Sequence, residues 1–449
     1  MGLRYIIWLI ASCSICVAAQ TTTIKPLPLA EAVALANASN PAVRMSSIQR
    51  VVDKYALQLA YHAYAPQYQF VSTLNQANTT DLTLGIHPSV SWRTQSGIAL
   101  GASYQGGQQD GSYAGHADIM VKIPLMRGSG YTINDIPLEN AIDQEAMNTL
   151  SYRDAVASVI NTVQAQYFKV IADQEQRAAL RLSLQRSQET LAEYQIKVEA
   201  GDMAASSIPQ QESQILSDKM QLEHNANAYQ ADYKALMLLL GLNPQSAFRL
   251  SMPTEQYDTP LPSVEAGIKA AKLGNYRYQQ QLISLRALGR SARKADDDTR
   301  PIVDIVGTVS TEGQKGIGLS LTIPVNDMNA EYAALSANSA LAKETIALEQ
   351  AERDLVAQVN DTLETLKSQR KQMDLAEKRV GYAKQNYENT RLSHRYGKAS
   401  AYEVTSQMQT LLQSELTLID IRIQYYTEYA EWNKFIGNTL TQWQIRLVK

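Results

Sequence analysis

Residues 359–432 read VNDTLETLKSQRKQMDLAEKRVGYAKQNYENTRLSHRYGKASAYEVTSQMQTLLQSELTLIDIRIQYYTEYAEW. Val359, Leu366, Met373, Val380 and Tyr387 stand seven apart. After Tyr396-Gly397-Lys398-Ala399-Ser400 the beat resumes at Val404, Leu411, Leu418, Tyr425 and Trp432. A strict seven-residue apolar period is the seam of a left-handed coiled coil. A glycine between two such runs, neither broken by proline, predicts a helical hairpin with a tight tip. Arms of about 35 to 70 residues would reach ~50 to 100 Å. Taken alone, the stretch also suits a purely structural coiled coil.

The 449 residues suffice for two or three ordinary domains or one elongated repeat structure. Lys and Arg total 41 against 44 Asp and Glu, and no basic block is interleaved with aromatics, so nothing points to nucleic acid. Charged residues make up only 19%, low for a solvated coiled coil; Gln, Asn, Ser, Thr and Tyr replace them, which suits a wall lining water. The amino terminus reads as a processing segment: Arg4, an apolar run through Val17, then Ala18 and Ala19 before Gln20 predict an export signal over residues 1–19. A rival reading of Ile10-Ala11-Ser12-Cys13 as a lipoprotein box would lipidate Cys13. Cys13 and Cys16 are the chain's two cysteines, so cleavage after Ala19 leaves no disulfide framework and no thiolate metal site. No later run holds the ~18 apolar residues of a membrane helix.

From Leu27 the chain predicts a helix from about Leu29 to Tyr64, broken near Asn40-Pro41 and stopped by Pro66. The period then changes from seven to two. Leu82, Leu84, Ile86, Val90 and Trp92 alternate with mostly polar residues, as do Ile98, Leu100, Ala102 and Tyr104, and Ile119, Val121, Ile123 and Leu125. That is the mark of strands with one apolar face, and Tyr68, Phe70 and Leu74 begin a weaker version. Residues 93–97 form a short connection, whereas 105–116, rich in Gly, Gln and Asp, read as a long polar loop; short turns at one end and longer loops at the other belong to outer-membrane barrels. An ordinary antiparallel sheet with one wet face would give the same alternation. Pro88 demands a bulge or an exposed edge. Arg127-Gly128-Ser129-Gly130 leads into a second helical hairpin. Its first arm starts near Leu138 and carries Val156, Ile160, Val163, Tyr167 and Val170; it breaks at Gly201, and the second arm runs from about Ile208 to Leu240 before Gly241.

Then the chain starts again. Leu261-Pro262 and Glu265-Ala266 repeat Leu27-Pro28 and Glu31-Ala32; Pro301 and Pro324 mirror Pro66 and Pro124. At one offset of 196 residues, Gly397, Tyr425, Tyr429 and Gly437 match Gly201, Tyr229, Tyr233 and Gly241. We read an internal duplication: a first repeat over 20–260 with strands at about 67–125, and a second over 261–449 with strands at about 302–325. The first span is long enough for four strands and the second for two; the alternative is that 78–110 forms a large loop with its own hairpin.

Catalytic patterns are absent. The five histidines are scattered, with no metal-ligand spacing, no Walker loop, no dinucleotide fingerprint and no nucleophile elbow. Asp296-Asp297-Asp298 lacks a calcium loop's alternation and reads as a solvated surface. We therefore expect no enzyme, cofactor or metal.

The opening Leu-Pro-Leu-Ala-Glu-Ala-Val-Ala-Leu-Ala with Asn40-Pro41, the strand exit Pro124-Leu125-Met126-Arg127-Gly128 and the hairpin tips at Gly201 and Gly397, duplicated in this order, resemble the TolC family of outer-membrane efflux proteins over residues 27–440. The resemblance implies a mixed, mainly α fold: a homotrimeric α-helical coiled-coil barrel forming a periplasmic tunnel, continuous with a shared transmembrane antiparallel β-barrel. It implies a passive exit duct of a tripartite efflux or type I secretion system. Such a duct would sit among the outer-membrane lipid of a Gram-negative bacterium and reach into the periplasm, served by a periplasmic adaptor and an inner-membrane transporter. The tips would close the entrance and receive the adaptor; here they are Ala200, Gly201 and Asp202, and Tyr396, Gly397 and Lys398. Glu403 stands where the family often places a pore-constricting acid, but Ser406 stands where a second acid is common, and a plain N-terminal helix residue would also be acidic there. The family's usual two strands per half would give twelve in a trimer, whereas six per chain would give eighteen. The competing reading is a periplasmic coiled-coil scaffold or adaptor-like protein, which would come free on lysis without detergent. Neither cargo nor pump class can be read from the residues.

Overall fold

The computed structural model describes residues 25–77, 81–109, 112–253 and 260–447. The expected export signal and the lipidation alternative at Cys13 lie outside them. The chain begins with β1 (Lys25–Leu27) and two helices, α1 (Leu29–Ser39) and α2 (Pro41–His62). Four strands follow: β2 (Gln67–Ala77), β3 (Asp81–Arg93), β4 (Ala99–Gln109) and β5 (Ser112–Pro124). A one-turn helix, α3 (Tyr131–Asn134), leads into α4 (Ile136–Glu199), and α5 (Ser207–Leu239) returns. The second half comprises β6 (Phe248–Leu250), α6 (Val264–Gly274), α7 (Tyr276–Asp298), β7 (Ile302–Ser310), β8 (Lys315–Thr322), α8 (Met328–Arg395), α9 (Ala401–Phe435) and α10 (Thr439–Gln442).

The seven-residue beat is a packing seam. Val359, Leu366, Tyr387, Val404, Leu411, Tyr425 and Trp432 are buried, and Met373, Val380 and Leu418 half-buried. The 64 residues of α4 and 68 of α8 make helices of roughly 95 to 100 Å at the usual rise. Helices this long are not held by one core. The main cluster lies at mid-length, where α1, α6 and the short β1–β6 pair pack on Val156, Ile160, Tyr167, Leu236, Val359 and Tyr425. A second, smaller cluster joins Ala383, Tyr387, Val404, Met408 and Leu411 near the far end. The β1–β6 pair was not foreseen; three-residue strands are too short to show a period. Tyr167 stitches it to the core, its hydroxyl 2.8 Å from Leu27 O and 3.2 Å from Ser251 N.

Asn40 and Asn275 play matching parts. Asn40 Oδ1 accepts from Ala42 N at the start of α2 while its Nδ2 donates to Leu239 O at the end of α5, 2.8 Å away. Asn275 Oδ1 accepts from Tyr278 N at the start of α7 and its Nδ2 donates to Phe435 O at the end of α9, 3.0 Å away. Each amide caps one helix and catches an orphan carbonyl of another, so the short helices continue the line of the return arms. Close by, a Cβ on Gly274 would meet Ile436 O at 2.0 Å, so only glycine lets these backbones approach. Asn275→Ala is expected to cost about 1 to 2 kcal/mol, a lost cap plus an unpaired carbonyl. A urea titration followed by helical circular dichroism checks it, with Asn275→Asp expected to keep the cap but not the Phe435 contact.

Six strands form one antiparallel sheet in the order β2-β3-β4-β5-β7-β8. Within the 78–110 stretch, β3 and β4 are thus full members of the sheet. Residues 105–116 correct the expectation of a long polar loop: Gln105 pairs with His116, Gly106 with Gly115 and Gly107 with Ala114. Backbone pairing needs no apolar side chains, so Gly and Gln extend the ladder without betraying it in the alternation. Pro88 also departs from expectation. It sits inside β3 opposite Phe70, and pairing to β4 lapses at positions 87 and 88 but resumes in the same register at Ser89↔Ser103, without a bulge. The acidic run near 297 is no free surface either. Asp297 is buried and accepts from Gly128 N at 2.7 Å, while Asp298 meets Arg127 at 3.1 Å and Lys294 at 2.5 Å. It pins the end of α7 to the loop by which β5 leaves the sheet.

Among the described residues no helix is long and apolar enough to cross a membrane. The sheet has one apolar face. Register puts Tyr68, Phe70, Val90, Leu100, Ile119 and Leu319 on the same side and Gln69, Ser89, Ser103, Asp118, Thr308 and Ser320 on the other.

Candidate functional site

Both hairpin tips lie at the end of the molecule away from the sheet, and each is made by a helix stop whose positive φ favours glycine. Gly201 has φ +78° and Gly397 φ +71°. At the first, Gly201 N donates to Val198 O at 3.1 Å and Asp202 N to Lys197 O at 2.8 Å; at the second, Gly397 N donates to His394 O at 3.0 Å and Lys398 N to Ser393 O at 2.8 Å. These are paired Schellman turns, which satisfy the last carbonyls of α4 and α8 and reverse the chain within a few residues. Ala200, Gly201, Asp202, Tyr396, Gly397 and Lys398 are all exposed, with Tyr396 at 73% relative exposure.

The return arms start differently. Ser400 caps α9 in a full capping box: Glu403 N donates to Ser400 Oγ at 3.2 Å, and Ser400 N donates to Glu403 Oε2 at 2.6 Å. The Ser400 backbone bond, with its hydroxyl second, holds the Glu403 carboxyl below the usual range, so it is charged. Within one chain Glu403 is therefore a helix-start residue. At α5 the N-cap Ser206 makes no side-chain cap bond.

Behind the glycines, the structure joins the two hairpins through groups that the sequence reading did not single out. Tyr194 Oη donates to Ala401 O at 3.0 Å and Lys197 Nζ to His394 O at 2.7 Å. Glu193 takes one bond from Arg391 at 2.9 Å and one from Arg395 at 2.7 Å. Burial works against the charged Glu193, but the Arg395 and Arg391 bonds outweigh it and hold the carboxyl below its ordinary range. The buried rings of Tyr194 and His394 pack with centroids 5.3 Å apart, tilted by 55°. Burial raises the Tyr194 phenol, and burial with nearby Lys197 lowers the His394 imidazolium, so both rings are neutral at pH 7. Further up, Ser187 Oγ donates to the buried Asp218 at 2.6 Å, Gln211 Nε2 to Ser187 O at 3.0 Å, and Thr405 Oγ1 to Gln211 Oε1 at 3.2 Å. This polar network ties α4, α5 and α9 in one register. The readable signal was charge: Glu189, Glu193 and Glu199 end the first arm, whereas Arg391, Arg395 and Lys398 end the second.

A carboxyl pair lies in the same wall. Asp173 on α4 is raised to about 6, by burial first and then by Asp232 on α5, which itself holds Lys169 at 3.0 Å. A carboxyl raised above its ordinary 3.8 binds a proton on folding, so its contribution is full below about pH 4 and lost as pH rises through about 6. Asp173→Asn is expected to leave stability unchanged near pH 4 and to raise it above pH 7. Thermal melts across that range check this; parallel wild-type and variant curves would refute it. Among the described residues no His, Cys, Asp and Glu side chains group to hold a metal ion.

The profile of the family described as outer membrane efflux protein matches residues 269–438. No curated protein sequence matches at a significant level. Three solved structures are similar along nearly the whole chain. The outer membrane protein VceC of Vibrio cholerae is 13% identical, with 91% of this chain and 96% of that one covered at a TM-score of 0.68. The open MtrE outer membrane channel of Neisseria gonorrhoeae is 14% identical, with 92% and 89% covered at 0.69. The CmeC outer membrane channel of Campylobacter jejuni is 14% identical, with 92% and 86% covered at 0.66. Residues 269–438 are thus similar to the outer membrane efflux protein family, and the chain as a whole has the fold of these outer-membrane channels, the fold that the TolC resemblance implies.

Proposed function

We propose that three copies of this chain form a passive exit duct across the outer membrane and periplasm, taking cargo from an inner-membrane transporter through a periplasmic adaptor that meets the hairpin tips. The observation that carries the reading is the pairing of a sheet with one apolar face to a wall of ~100 Å helices on the same chain. An apolar outer face with a polar inner one is what a barrel in lipid around a water-filled lumen needs. The helix row beneath it has the composition of a wetted wall, low in charge and rich in amides and hydroxyls.

The ring geometry is supported by the order of elements. α2 packs on α4, α4 on α7 and α7 on α8, so α2 and α8 are the two ends of a row. Both turn apolar residues outward, among them Ile48, Tyr55 and Leu59 on α2, and Tyr332, Leu335 and Ile346 on α8. Two different sticky ends on one chain call for head-to-tail contacts, which make a ring when the rotation between neighbours closes. The matching tips, Asn caps and stop glycines support descent from a duplicated unit, with repeats over 20–260 and 261–449 behind an export signal. In the duct, the six tip residues are the adaptor-facing mouth. Three copies of Glu403 would add a ring of carboxylates beside it.

Fractionation tests the reading. The protein should sediment with outer membranes, need detergent for release and have the mass of three chains. Recovery as a soluble periplasmic protein without detergent would favour the coiled-coil scaffold instead.

A further inference from the structure

The strands β2 and β8 are the two edges of the sheet, each with one strand neighbour among the described residues. We infer that β8 of one chain pairs with β2 of the next, so that three chains close a barrel of eighteen strands; this rests on the trimeric duct proposed above.

The directions fit. β2 leaves α2 and runs away from the helices, the six strands alternate, and β8 runs back into α8. A β8–β2 contact between copies is therefore antiparallel like each contact within the chain, and closure leaves no unpaired edge. The faces fit as well. Tyr68, Phe70 and Leu74 on β2 are 83%, 69% and 65% exposed, and Ile317, Leu319 and Leu321 on β8 are 88%, 69% and 59% exposed. Register carried across the four intervening strands puts all six on one side of the sheet. A hairpin folded away as a surface loop has no need to keep its apolar residues in phase with a strand at the opposite edge. A one-residue slip would turn them into the lumen.

The helices give the third argument. The edge strand β2 continues from α2 and the edge strand β8 leads into α8, the same two helices that end the helical row with apolar residues outward. One contact between neighbours therefore joins the sheet edges and the helix stripes together. Closure that used β4 as the edge would leave β2 and β3 outside the barrel, away from the helix they grow from.

The consequence is width. Diameter grows roughly linearly with strand number, so eighteen strands make a barrel about half again as wide as twelve. At a spacing of ~4.8 Å and a tilt of ~40° it is about 36 Å across between backbones. The outer-membrane part is then an open vestibule, and the tips set the limiting aperture.

Cysteine pairs read the contact directly. Ser320→Cys is combined in turn with Gln67→Cys, Gln69→Cys, Val71→Cys and Thr73→Cys, all on the polar side. A parallel set combines it with Gly101→Cys or Ser103→Cys on β4. Oxidation in outer membranes should give covalent dimers and trimers from one of the β2 positions, reversed by reductant, and none from β4. Linkage through β4 overturns the inference, because it makes a twelve-stranded barrel. So does a trimer, established by mass in detergent, in which no β2 position links. Protein that is never a trimer instead refutes the duct reading itself, so the two failures are told apart.

Discussion

Gly397→Pro is expected to abolish export by the proposed duct while leaving its trimer in the outer membrane. Gly397 sits at φ +71° and its N–H donates to His394 O at 3.0 Å. Proline has no N–H and holds φ near −65°, so it cannot make this turn. The helix must end elsewhere, and Tyr396, Lys398 and the Ser400–Glu403 capping box move with it. The main core is far along α8 and α9, around Val359, Leu363 and Tyr425, and is untouched. Export of the cargo, whether toxic compound or secreted polypeptide, should therefore fall in the Gly397→Pro strain to the level of the deletion strain, with outer-membrane trimer at wild-type amounts. Gly397→Ala, which strains φ but keeps the N–H, should fall between. Full export by the proline variant would show that this tip is not the working end.

Glu193→Arg is expected to loosen the tip end of the proposed duct. In the wild type this one carboxylate bridges Arg391 and Arg395 across the hairpins, with Glu189 3.5 Å from Arg391, and the variant replaces the bridging anion by a third cation. Like charges in a half-buried site repel by several kcal/mol, more than the single Tyr194 and Lys197 bonds beside it return. The second hairpin should swing from the first. In planar bilayers the variant's single-channel conductance is expected to rise several-fold. Cells that carry it should admit large antibiotics normally excluded. Adding Arg391→Glu and Arg395→Glu restores opposite signs and should bring conductance most of the way back. That rescue separates an ion-pair lock from general damage to the helices. Unchanged conductance in Glu193→Arg would mean the cluster holds nothing shut.

The parts of this fold written as repeats were open to sequence reading. Seven-residue apolar spacing marked α8 and α9 because every seam position must face the same neighbour. The stop glycines at 201, 241, 397 and 437 were visible because each needs positive φ. Pairings between distant residues were not visible. Glu193 meets Arg391 and Arg395 from about 200 positions away, and nothing local distinguishes them from other helix-surface charges. Asn275 lacks the proline that made Asn40 conspicuous, although it does the same work. The outer parts of β4 and β5 pair through Gly106, Gly107 and Gly115, whose missing side chains leave no alternation to read. Of the candidate site, the glycine turns were legible and the Glu193 ion pairs behind them were not.

In the proposed duct the two tips are the mouth at which an adaptor is received. Photo-crosslinking amino acids placed at Asp202 and Lys398 in intact cells, followed by identification of the adduct, test it directly. The predicted result is one periplasmic adaptor protein captured from both tips, and no such adduct from a control position at Leu273. Adducts to the adaptor from Leu273 but from neither tip would contradict the claim.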